Sequence, residues 1–315
     1  KKNANIITDI EIPQYRKIKE IALKNKFNIE TISNKNSNLE IISHKYHNEK
    51  QIVKIRYNKN IYKFETRLIG KIQIKNILMA IIAATKSNLN FKKIINTIHD
   101  LKPVSGRLEQ IGIIKNKSKV ILDYAHTPDA LEVSLKSLRE QFKNRQISIV
   151  FGCGGDRDKA KRPMMGKIAN QYCDRIYLTD DNPRYENPKT IRNTIKKNIN
   201  KSKIYEISNR ANAIKKAIFD MKTGDILIVA GKGHEKIQEY KEIKKLFSDQ
   251  QQILKNITIK NKTLSNNLKL NILKELSNSN NISPKLEIKN ASINSKEIKK
   301  NNVFFAIKGK NKDGN

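Results

Sequence analysis

Between residues 106 and 258 the chain alternates short apolar runs with helix-length segments, and that rhythm leaves few folds open. The apolar runs are Val120–Tyr124, Ile147–Phe151, Arg175–Thr179, Ile204–Ile207 and Asp225–Val229. They are rich in aliphatic and β-branched residues and too short for helices. The segments between and after them, about Pro128–Phe142, Arg162–Tyr172, Pro188–Asn200, Arg210–Met221 and Asp249–Asn256, have helical length. Pro128 and Pro188 sit where a first-turn proline is tolerated. Strands that alternate with helices pair in parallel, with helices over both faces of the sheet. The expected centre is therefore an α/β domain with a Rossmann-like parallel sheet.

The flanks differ. Residues 1–105 mix β-runs (Glu40–Ser43, Gln51–Tyr57, Tyr62–Leu68) with a helix at about Lys75–Lys86, whose Ile77, Leu78, Ile81 and Ala84 follow helical spacing. This zone reads as the end of a domain rather than a whole one. Residues 259–315 read as a polar, asparagine-rich linker, then Leu268–Leu276, a loop, and Val303–Ile307 running into Lys308-Gly309.

Composition narrows the partners. Lys and Arg total 64 against 30 acidic residues, a net charge of +34. A cation of that size attracts polyanions. Here the lysines are scattered among asparagine and isoleucine in loops and helices alike, with little aromatic interleaving to stack bases. Compositional drift therefore accounts for the charge better than a specific nucleic-acid role. Two cysteines, Cys153 and Cys173, make no disulfide framework and no zinc spacing, which fits a reducing, cytoplasmic setting. No apolar run reaches the length of a membrane span.

The motifs with chemical content gather at one edge. Gly152-Cys153-Gly154-Gly155-Asp156-Arg157-Asp158 leaves one β-run and enters a helix, and the next β-run ends in Asp180-Asp181-Asn182-Pro183-Arg184. Both loops lie beyond the carboxyl ends of parallel strands, where open α/β sheets bind ligands. Mixed carboxylates and guanidiniums suit a ligand that carries ammonium and carboxylate groups together, such as an amino acid. Asp123 and His126 occupy the same edge after Val120–Tyr124, placed for a ribose hydroxyl or phosphate, although a cap and a polar turn residue explain them equally well. Arg107, within Ser105–Glu109, stands at the junction of the first two zones, where a guanidinium can reach a phosphate across a cleft. Ala230-Gly231-Lys232-Gly233-His234-Glu235 resembles half a phosphate loop but lacks the Lys-Ser/Thr ending, and no complete loop occurs in the chain.

In this order, SGRLE, DYAHTPDALE, FGCGGDRDKAKRPMMG, TDDNPR, AGKGHE and FSD resemble the Mur ligases of peptidoglycan synthesis, in particular the branch that adds meso-diaminopimelate to a UDP-N-acetylmuramoyl-dipeptide. The resemblance implies three zones. Residues 1–105 would be the C-terminal part of a P-loop-type α/β central ATPase domain, and 106–258 the amino-acid-binding C-terminal domain. Residues 259–315 would be a linker and the start of a second ligase. It also implies that Arg157, Asp181, Asn182, Pro183, Arg184, Gly231 and Glu235 bind meso-diaminopimelate. Asn76, Arg107, Asp123 and His126 would lie near ATP, with magnesium ligands upstream, and the family's Phe-Asn before the Asn76 position is replaced by Ile72-Gln73. No complete catalytic set is present, so a piece of this extent is expected to be inactive alone. Residues 286–314 resemble the opening of the UDP-binding domain of the D-alanyl-D-alanine-adding ligase, through Asn294-Ser295-Lys296, Phe304-Phe305-Ala306, Lys308-Gly309 and Asp313-Gly314. That pairing would make the chain part of a bifunctional fusion, a disordered basic tail being the alternative. Two rival classes stand beside a working ligase: a basic nucleic-acid-binding module and a non-catalytic relic.

Overall fold

The computed structural model describes residues 4–277, 282–283, 286–294, 296 and 298–304. The first zone contains β1 (Asn5–Asp9), α1 (Tyr15–Lys24), β2 (Asn28–Ser33), β3 (Leu39–His47), β4 (Lys50–Tyr57), β5 (Asn60–Thr66), α2 (Lys71–Lys86) and α3 (Phe91–Thr97). Its strands form one sheet in sequence order, parallel from β1 to β3 and antiparallel from β3 to β5. Ile74, Leu78 and Ile82, spaced at a helical period, bury one face of α2 against Ile32, Leu39, Val53 and Ile55. The β1–α1–β2 unit and α3 lie outside the β-runs and the helix that the sequence marks in this zone.

The second zone follows the expected alternation. It runs β6 (Glu109–Ile113), β7 (Lys119–Asp123), α4 (Pro128–Gln141), β8 (Ile147–Phe151), α5 (Lys161–Tyr172), β9 (Arg175–Leu178), α6 (Pro188–Lys196), β10 (Ile204–Glu206), α7 (Arg210–Asp220) and β11 (Ile226–Ala230). The strand order is β10-β9-β8-β11-β7-β6. All neighbours are parallel except β6, which pairs antiparallel with β7, so the sheet is mixed at that edge. Alternation along β11 shows why both faces are covered. Ile226, Ile228 and Ala230 join the core under α4, α5 and α6, while Leu227 and Val229 face α7 and the next helix. Polar residues do the capping: Thr127 accepts from Ala130 N, Asn187 from Lys189 N and Asn209 from Asn212 N.

The chain then forms a hairpin, β12 (Ile237–Tyr240) and β13 (Ile243–Leu246), and a long helix, α8 (Asp249–Ser277). The polar stretch expected as a linker from residue 259 is thus a continuation of this helix. Ile253, Ile257, Lys260 and Leu264 form its inner stripe. Lys260 Nζ donates to the carbonyls of Ile218 (2.7 Å) and Met221 (2.6 Å), setting a cation on the C-terminal end of α7. Short strands β14 (Asn290–Ser292) and β15 (Asn302–Phe304) pair in parallel. Ser295, Phe305, Ala306, Lys308, Gly309, Asp313 and Gly314, which carry much of the second resemblance, lie outside the described residues. No described helix is long and apolar enough to cross a membrane.

Buried polar groups join the first two zones. Gly70 N donates to Gln141 Oε1 (2.9 Å), and Gln141 Nε2 donates to Glu49 O (2.7 Å). The Glu49 carboxylate pairs with Lys119 and Arg145.

Candidate functional site at the carboxyl edge of the sheet

The chain reverses direction across the sheet at β11, which is inserted between β7 and β8. The loops after β7, β8, β9 and β11 therefore crowd one crevice, the topological position favoured for ligands. Glycines set how closely these loops approach. A Cβ on Gly155 would fall 1.8 Å from the Pro183 carbonyl oxygen, and one on Gly152 would fall 2.2 Å from the Thr179 oxygen. The loop after β8 is thus seated backbone to backbone on the loop after β9, with Gly155 N donating to Asn182 O (2.9 Å).

A charged clamp locks the same two loops. Arg162, 1% exposed, grips Glu186 with two parallel bonds, Nη1 to Oε2 (2.9 Å) and Nη2 to Oε1 (2.8 Å). Glu186 Oε1 also accepts from Asp156 N (2.7 Å). These bonds, the Arg162 guanidinium foremost, hold the Glu186 carboxyl down at about 2. Neither residue stood out in the sequence, because fully buried arginine is uncommon and spacing alone does not reveal its partner.

The seven residues expected at an amino-acid pocket divide by exposure. Asn182 is buried; its Oδ1 accepts from Lys232 Nζ (2.9 Å) and Glu239 N (3.1 Å), and its Nδ2 donates to Glu235 Oε2 (3.2 Å). Pro183 contributes the carbonyl against Gly155. Arg184, at φ +51°, has Nη1 on the Gly155 carbonyl (2.8 Å) and Nε near Glu239 Oε2 (3.1 Å). A two-bond fork from Arg184 to a ligand carboxylate would have to displace one of these partners. Arg157 is exposed on the loop after β8; its Cγ and Arg184 Nη1 both flank Gly154, 3.9 and 3.0 Å from where a Cβ would stand. The two guanidinium side chains thus approach the same glycine.

Asp181 is turned inward. Its Oδ1 accepts from Asn182 N (2.8 Å), whereas Oδ2 is buried without a hydrogen bond, 3.8 Å from Arg210 Nη1 and beneath Gly231. Arg210 is in turn held by Asp249 through two bonds of 2.7 and 2.8 Å. Asp181 therefore supports the floor of the crevice rather than its wall. Asp180 is likewise internal, paired with Arg192 and accepting from Tyr240 Oη (3.1 Å).

Beside the crevice lies a cavity of about 510 Å³ between the first two zones. It is lined by Asn76, Arg107 and Asp123 and walled by Ile72, Val104, Ala125 and Val133. Three of the four residues expected near a nucleotide thus converge. Arg107 lies over the Tyr124 ring at 4.5 Å, and His126 meets that ring edge-on at 4.6 Å, with Nδ1 2.8 Å from the Tyr124 carbonyl. His126 therefore joins the group through Tyr124. Asp123 bonds internally to Leu108 N (3.2 Å), Tyr124 N (2.9 Å) and Ser134 Oγ, and so pins the segment that carries Arg107. Burial pushes its carboxyl above the usual range against these bonds. Aliphatic walls with an amide, a carboxylate and a guanidinium suit a nucleoside phosphate. Among the described residues, no three His, Cys, Asp or Glu side chains converge as a metal site.

Residues 106–233 match the family described as Mur ligase, glutamate ligase domain. A similar curated protein is the UDP-N-acetylmuramoyl-L-alanyl-D-glutamate--2,6-diaminopimelate ligase of Rickettsia rickettsii, 42% identical over 210 residues, which are 66% of this chain and 43% of the relative. The chain thus spans less than half the length of that relative. A solved structure of a ligase of the same name is 30% identical, with a TM-score of 0.60 over 81% of this chain and 53% of that one. The MurF ligase of Thermotoga maritima, solved with ADP, shares the fold at 16% identity and a TM-score of 0.60, over 82% of this chain and 54% of its own. Residues 106–233 are accordingly a Mur ligase C-terminal domain, carried in a Mur ligase-like α/β fold.

Proposed function

We propose that this chain supplies the amino-acid-binding domain, and the tail of the preceding ATPase domain, of a ligase that adds meso-diaminopimelate to UDP-N-acetylmuramoyl-L-alanyl-D-glutamate. The observation that carries the reading is one sheet edge at which Asn182 bonds Glu235 and the neighbouring Arg184 sits on the Gly155 carbonyl, beside a cavity lined by Asn76, Arg107 and Asp123. ATP, when bound, supplies the phosphoryl group that activates the glutamyl carboxylate for the incoming amine. The chain's own residues position the two reactants. Arg107, with Asn76 and the aliphatic wall, would hold the nucleotide. Glu235 offers a carboxylate to an ammonium, and Arg157 and Arg184 offer guanidiniums to the distal carboxylate that lysine lacks. Holding reactants at near-attack distance accounts for about 7–11 kcal/mol in well-oriented systems. Magnesium would accompany ATP through ligands outside the described residues. For residues 286–314 we propose the start of a D-alanyl-D-alanine-adding ligase, supported by the sequence pattern and by a parallel β14–β15 pair.

Calorimetric titration of the chain with meso-diaminopimelate and with L-lysine tests the amino-acid reading. Selective binding of meso-diaminopimelate is expected, falling about 30-fold in Arg184→Ala, the lower end for loss of one member of a charged pair. Arg157→Ala should weaken it as well, without disturbing the loop that Arg184 holds through Gly155. Equal binding of both ligands by the wild-type chain would refute the assignment.

A further inference from the structure

The buried ammonium of Lys232 has no place in the roles assigned so far. Lys232 is 0% exposed, although lysine is almost never fully buried unless paired. Its Nζ donates to Asn182 Oδ1 (2.9 Å) and to Glu235 Oε2 (3.1 Å), two residues on different loops at the crevice. Asn182 Oδ1 takes a second donor, Glu239 N, while Nδ2 donates toward Glu235. The acceptor end of the amide is therefore occupied from within, and what Asn182 can offer a ligand is an N–H. Glu235, with a side chain 35% open to solvent, is fixed at Oε2 by two donors, leaving Oε1 as its remaining acceptor.

We propose that Lys232 is a positioning residue that makes Asn182 a donor and fixes the acceptor carboxylate of Glu235 through Oε2, so that the crevice presents the complement of one ammonium–carboxylate pair. This deepens the amino-acid reading above and rests on it. An amide free to turn would accept from an ammonium as readily as donate to a carboxylate; saturating Oδ1 removes that choice. Because the two residues lie on the loops after β9 and β11, the same ammonium also fixes the distance between the loops. The expected ligand end is an α-amino acid centre, whereas an amine without a neighbouring carboxylate would leave the Asn182 N–H unmet. An unmet polar group is what gives hydrogen-bonding sites their discrimination.

The test is a double-mutant cycle read by calorimetric titration with meso-diaminopimelate. Lys232→Met should weaken binding about 10- to 100-fold, the range seen when partners that orient metal ligands are removed. In a background of Asn182→Ala with Glu235→Gln, the same Lys232→Met change should cost less than about threefold, since residues that act as a unit are not additive. A merely structural lysine would give the same loss in both backgrounds. Equal losses, or unchanged affinity in Lys232→Met alone, would overturn the positioning role while leaving the amino-acid site standing. A folded wild-type chain that does not bind meso-diaminopimelate would overturn the underlying reading and this role with it. If Lys232→Met fails to fold, Asn182→Ala with Lys232 intact tests the role through its partner: because the Asn182 N–H would meet only the carboxylate that lysine lacks, loss of the diaminopimelate-over-lysine preference is expected, and its retention would refute the role.

Discussion

Replacing Glu186 by Gln removes one charge from the clamp on Arg162 and keeps the shape of the side chain. In the native chain the carboxyl is held at about 2, from an ordinary 4.5, chiefly by the Arg162 bonds. Taken whole, that depression corresponds to about 3 kcal/mol of stability. Its side chain is 16% exposed and partly screened by solvent, so about 2 kcal/mol is the expected loss in Glu186→Gln at pH 7. For a chain of 315 residues that lowers Tm by roughly 3 °C. The pH dependence distinguishes the charge from the shape. A depressed carboxyl stabilises the fold fully above its unfolded value and ceases to do so as pH falls through its folded value. The gap between wild type and variant should therefore be complete above pH 4.5 and close progressively toward pH 2. Differential scanning calorimetry of both proteins from pH 7 to pH 3 measures it, since other titrating groups cancel in the difference. A gap that stays constant over that range, or one below about 0.5 kcal/mol at pH 7, would refute the clamp.

Gly155→Ala would place a methyl group 1.8 Å from the Pro183 oxygen, so a loss of at least about 3 kcal/mol and a collapse of ligand affinity are expected; an unchanged Tm would show that the loops are not seated on each other. Burial pushes the Cys153 thiol up to about 12 and the Cys173 thiol higher still, so neither should react with iodoacetamide at pH 8 in the native chain, while both react once it is unfolded. Mass spectrometry reads the outcome, and native alkylation at either position would contradict the packing described.

Where apolar runs were short and uninterrupted, as at Ile226–Val229, the sheet was legible from the residues alone, because a strand buried on both faces needs continuous apolar side chains. The units missed were polar ones. The β12–β13 hairpin carries Lys244, Lys245 and exposed Leu246, and no core-facing alternation marks it. Helix α8 was visible only as far as Asn256. Its inner stripe continues through Lys260, and a lysine on the apolar face breaks the pattern even though its head caps α7. At the candidate site, motif order placed Asn182, Arg184, Gly231 and Glu235 on loops at one edge of the sheet. It did not show that Asp181 faces inward or that Arg162, Arg210 and Lys232 are buried. Those facts depend on partners distant in sequence, such as Glu186 and Asp249, which only the folded chain brings close.

The placement of β11 between β7 and β8 has a consequence for how the protein is made. The middle of the sheet is occupied by the last of its strands to leave the ribosome. Until Ile226–Ala230 emerge, β7 and β8 have an open slot between them, and the apolar faces under α4 and α7 lack a central rib. The domain cannot close in the order in which it is synthesised, and most of its length must wait, with unpaired strand edges, for five residues near its end.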